Sequence, residues 1–89
     1  MSPRHSISGL PNLGPKSQAV LAAAGITTVA QLRRLGSVAA YAKTRRAGAN
    51  VSLNLLWALE GALTGLPWQV VAREHRTSLL RALEQSKDA

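Results

Sequence analysis

The stretch LPNLGPKSQAVLAAAGITTVAQLRRLGS, residues 10–37, places two helix starts and two helix stops in one short run. Pro15 stands where a first-turn proline is welcome, because the N–H it lacks has no partner there in any case. The spacing predicts a first helix over 15–24, with Val20, Leu21 and Ala24 on one face and Gly25 as its left-handed stop. Thr28 and Gln31 stand in capping-box register. A second helix therefore begins just after Thr28, turns Val29, Leu32 and Leu35 inward, and ends at Gly36. Ser37 is the expected N-cap of a third, with Val38, Tyr41 and Ala42 inward and Lys43, Arg45 and Arg46 outward near its C-terminus, where cations suit the dipole.

Beyond Arg46, the run AGANV breaks the pattern, and Ser52 caps a fourth helix over 53–64. Leu53, Leu55, Leu56, Trp57, Leu59 and Leu63 make that helix apolar nearly all round, so it belongs in the middle of the domain. Gly61 inside it costs about 1 kcal/mol against alanine, which close approach of another helix would justify. After TGLP the reading is a short helical turn over 67–71 and a longer helix over 73–85, with Val71, Leu79, Leu80 and Leu83 on its apolar side. No segment alternates with period two, so no sheet is expected. The fold class is all-α: a compact bundle of about five short helices, residues 8–86, behind a polar leader over 1–7.

Composition narrows the function. The chain has 89 residues, 46% hydrophobic and 17% charged, enough for one small core and too apolar for a disordered tail. Eleven Lys and Arg against four Asp and Glu give a net charge of +7, which favours polyanions: nucleic acid, an anionic membrane or an acidic protein. Aromatic residues are only 3%, fewer than a reader of stacked single-strand bases would carry. With no cysteine there is no disulfide scaffold or thiolate metal site, and no cofactor is expected. The apolar block over 51–66 is broken by polar residues and falls short of the roughly 20 needed to span a bilayer. A cytoplasmic protein without membrane contact is the expectation.

The chemistry concentrates at PNLGPKS. Unpaired N–H groups at a helix start, together with the positive end of its dipole, make a phosphate site, and a glycine there lets a backbone approach closely. Asn12, Gly14, Lys16 and Ser17 are the candidate contacts; the plain alternative is a tight turn that only reverses the chain. Arg33 with Arg34 and Arg45 with Arg46 would extend a phosphate track, unless they are simply solvated faces. Trp57, Trp68 and Tyr41 fall among aliphatic residues and read as core packing.

PNLGPKS resembles the hairpin of a helix-hairpin-helix element, as found in the C-terminal domain of the bacterial RNA polymerase alpha subunit, although the segment before it leaves at most a vestigial first helix. The longer runs LPNLGPKSQAVLAAAGITTVAQLRRLGSVAAY and NVSLNLLWALEGALTGLPWQVV resemble the C-terminal domain of the TfoX/Sxy family of competence regulators over residues 8–85. That resemblance implies an all-helical domain with a helix-hairpin-helix-like N-terminal half. It also implies a role in regulating natural-transformation genes alongside a cyclic-AMP-responsive activator. Two departures stand out: the N-terminal domain of long members is absent from this sequence, and Ala72 occupies a position where relatives often carry proline.

An enzyme is not expected. Glu60, Glu74, Glu84 and Asp88 are scattered, and His75 beside Glu74 has no nucleophile or second ligand at useful spacing. A buried Glu60 would need a partner, such as an arginine or a helix start. The functional expectation is a regulatory module that holds DNA backbone weakly and without sequence preference. Its rival is a protein-interaction module that docks on a transcription activator or RNA polymerase without touching DNA.

Overall fold

The computed structural model describes residues 13–86, and within them the chain forms five helices: α1 (Pro15–Ala23), α2 (Val29–Arg46), α3 (Leu53–Thr64), α4 (Trp68–Glu74) and α5 (Arg76–Ser86). The all-α bundle read from the sequence is what the chain builds. The segment expected to hold at most a vestigial first helix of a hairpin motif precedes residue 13 and lies outside the described residues.

Helix boundaries follow local chemistry. At the end of α1, the Gly25 N–H donates to the Ala22 carbonyl and the Ile26 N–H to the Leu21 carbonyl, each at 2.9 Å, with Gly25 at φ 88°. This pairing is the Schellman stop, which needs a left-handed residue where glycine alone is unstrained. Leu21 and Ile26, the residues that flank such a stop, are both buried in the core. Thr28 and Gln31 complete the capping box: the Gln31 N–H donates to Thr28 Oγ1 at 3.2 Å, and the Thr28 N–H to Gln31 Oε1 at 3.1 Å. Ser52 caps α3 by accepting from the Asn54 N–H at 3.3 Å.

The second and third expected helices form one element, kinked where Gly36 sits at φ 82°, ψ 165°. The break falls at the expected residue, but Ser37 does not take the capping role. Gly36 holds the non-helical position, and Ser37, in the first turn of the second limb, donates its hydroxyl to Glu60 Oε1 at 2.7 Å. At the other end of the chain, α4 runs three residues further than expected. The backbone bends at His75, whose N–H still donates to the Val71 carbonyl at 2.8 Å. No glycine or proline stands between Val71 and His75 to end the helix sooner.

The apolar helix α3 is the centre, packed on α2 and on α4, while α2 also carries α1 and α5. Leu56 and Leu59 of α3 meet Leu21, Ile26, Leu32 and Val71 in one fully buried cluster. Trp57 and Tyr41 are buried as expected. Trp68 is not: it is 38% exposed at the start of α4. Thr44, fully buried, satisfies its hydroxyl on the Ala40 carbonyl at 2.8 Å.

Candidate nucleic-acid interface

The entrance to α1 is built by Leu13. Its side chain is buried in the core, and its carbonyl accepts from Gln18 Nε2 at 2.9 Å, which fixes the turn that follows. With Leu13 held inward, Gly14 is left on the outside in an extended conformation, φ −82°, ψ 178°, as the N-cap of α1. Glycine supplies no capping side chain, and Pro15 at the first position has no N–H to satisfy. Among the described residues, no acceptor meets the N–H groups of Gly14, Lys16 or Ser17. Lys16 is exposed and Ser17 half-buried. The helix start thus presents free donors and a cation to one patch of surface, the arrangement that suits an anion.

Nothing in the domain demands glycine at position 14. Its φ is open to any residue, and a Cβ built there meets no atom of the described residues within 4 Å. With no Cβ on Gly14, a ligand backbone can come closer there than to any other residue type.

Charge is segregated along the fold. Helices α1 and α2 carry Lys16, Arg33, Arg34, Lys43, Arg45 and Arg46 and no acid, whereas α3 to α5 balance Arg73, Arg76 and Arg81 against Glu60, Glu74 and Glu84. Among the described residues the ion pair Arg73–Glu74 and the approach of His75 to Glu60 both lie in the balanced half. Arg33, Arg34, Arg45 and Arg46 are all exposed. Arg45 stands over the Tyr41 ring at 5.7 Å, a cation–π contact that steadies it without neutralising it.

Of the expected site residues, Asn12 lies outside the described residues. Gly14, Lys16 and Ser17 form the entrance itself. Lys16 and Ser17 also line a cleft of about 420 Å³, shared with Val20 of α1, Asn50 to Ser52 of the loop before α3, Asn54, Leu55 and Ala58 of α3, and Trp68 of α4. Arg46 is four residues from Asn50, which by chain reach puts the basic end of α2 within about 15 Å of that cleft. Arg33 and Arg34 stand on the opposite limb of the Gly36 kink and do not line it.

Sequence reasoning missed the cleft and the exposure of Trp68. The signal for the second was present, since Trp68 follows Pro67 as the opening residue of a short helix, where fewer neighbours can cover a large ring. The cleft depends on how three helices dock, which no local pattern encodes. Among the described residues no cluster of three His, Asp or Glu side chains could hold a metal ion, and no helix is long and apolar enough to cross a membrane.

The same fold occurs in the crystal structure of an uncharacterized protein from Listeria monocytogenes, with a TM-score of 0.78 and 29% identity, covering 92% of this chain and 93% of that one. The DNA transformation protein TfoX of Haemophilus influenzae is 32% identical over 79 residues, which is 89% of this chain and 36% of that protein. The chain therefore spans little more than a third of that relative. The family model for the TfoX C-terminal domain matches residues 3–83, and on that match the chain belongs to the TfoX C-terminal domain family.

Proposed function

We propose that this domain is a non-enzymatic, competence-related regulatory module of the TfoX type, which holds DNA through its phosphate backbone. The observation that carries the reading is the segregation of charge: every cation of α1 and α2 is without an acidic partner among the described residues. The exposed entrance of α1 supports it, with unpaired amides at Gly14, Lys16 and Ser17 at the positive end of the helix. The name of a relative, a DNA transformation protein, supports the choice of nucleic acid as the polyanion.

In this mechanism one phosphate sits against the α1 amides, with the Lys16 ammonium and the Ser17 hydroxyl as further donors. Arg45, Arg46, Arg33 and Arg34 neutralise neighbouring phosphates. Such contacts set position and register and carry no base sequence, so selection of a promoter falls to a partner protein such as a transcription activator. The domain contributes affinity, and that affinity is dominated by counterion release.

The test is a titration of labelled duplex DNA at several salt concentrations with the wild type and a Gly14→Glu variant. Binding through about five phosphates gives a log–log salt slope near −4.5. The variant puts a carboxylate in front of the α1 amides and loses affinity while its helical circular-dichroism signal is retained. Absence of binding by the wild type at low salt overturns the reading.

A further inference from the structure

Trp68 is the large apolar residue that stands exposed among the described residues, and it lines the cleft between α1, α3 and α4. The buried Leu55 and Ala58 and the half-buried Val20 and Val51 give the cleft an aliphatic floor. At about 420 Å³ the cleft falls within the range of roughly 300–1,000 Å³ typical of ligand sites. Among the described residues Lys16 lines it and no carboxylate does, and Arg45 and Arg46 close the helix that feeds its loop. Tryptophan over an aliphatic pocket is the usual anchor of a protein interface, and charge complementarity then selects the partner. A duplex backbone offers this floor only sugar edges between charged phosphates, whereas a peptide offers a whole apolar side chain.

We propose that this cleft docks an acidic amphipathic segment of a partner protein, with one large apolar side chain entering beneath Trp68 and the flanking carboxylates meeting Lys16 and the basic end of α2. The site shares Lys16 with the phosphate surface, but Trp68 and the aliphatic floor belong to it alone. Failure here therefore leaves the DNA reading standing, and the reverse also holds.

The experiment records amide and indole NMR shifts of the labelled full chain against an acetylated, amidated helical peptide with leucines on one face and glutamates flanking them. The comparison probes are the same peptide with lysines for glutamates, polyglutamate, and a single-stranded oligonucleotide. The expected result is saturable shifts at Val20, Val51, Ala58 and the Trp68 indole with the acidic peptide only. Trp68→Ala should weaken that binding by about tenfold while leaving duplex-DNA affinity unchanged. Lys16→Glu, a substitution at an exposed position, should weaken it several-fold and guards against a folding defect in the first variant. The proposal is overturned if those residues do not shift, if the lysine peptide or polyglutamate shifts them equally, or if the oligonucleotide is what occupies the cleft.

Discussion

Ser37 donates its hydroxyl to Glu60 Oε1 at 2.7 Å, and this one bond ties the kink of α2 to the middle of α3. The bond is short and charge-assisted, and it places the carboxylate at the start of the second limb of α2, where the dipole favours it. Glu60 Oε2 also lies 3.9 Å from His75 Nδ1, at the bend between α4 and α5. One half-buried carboxylate thus answers to three elements.

Glu60→Ala leaves the buried Ser37 hydroxyl without this acceptor and should cost about 1–3 kcal/mol. Glu60→Gln keeps an acceptor oxygen and should cost less. Urea unfolding followed by circular dichroism reads both; an alanine variant as stable as the wild type would show that the bond does not hold the kink.

Gly36, at φ 82°, ψ 165°, occupies a region that is essentially closed to residues with a Cβ. No atom crowds the position, so the penalty of Gly36→Ala is conformational: about 1–3 kcal/mol of stability. Thermal denaturation provides the comparison, with Gly14→Ala as the reference.

Gly14→Ala should leave stability unchanged or raise it by about 0.4–1 kcal/mol, because φ −82° suits alanine and the added methyl meets no atom of the described residues. DNA affinity should nevertheless fall, since the methyl holds a phosphate off the α1 amides. A variant that is both stable and fully competent to bind would assign Gly14 to the turn alone.

Reversing Arg45 and Arg46 to glutamate should reduce both duplex affinity and the salt slope, the latter by about 1.8 if each contacts one phosphate. The double reversal of Arg33 and Arg34 reads the other limb of α2 separately. Equal losses in affinity from the two pairs would place both limbs on the DNA; a loss from one pair alone fixes the orientation of the kink.

Much of this fold was legible because its boundaries are chemical. The Thr28–Gln31 box, the Ser52 cap, the Gly25 stop and the all-round apolar character of α3 are each set by residues within a turn of one another. The contacts of Ser37 were not legible, because they depend on which helix docks beside it. Glu60 was partly so: an acid in an apolar helix announces that it has a partner, but that the partner would be the Ser37 hydroxyl was not legible. In the candidate site, the sequence pointed to Gly14, Lys16 and Ser17, but the buried Leu13 that turns them outward and the cleft they border emerge only with packing.

The most direct measurement follows the amide resonances of Gly14, Lys16 and Ser17 while a short DNA duplex is added to the labelled chain at low salt. Those three signals should move early and far, and the movement should vanish as salt is raised. Duplex binding that leaves them still, or no binding at all, would contradict the phosphate site at the head of α1.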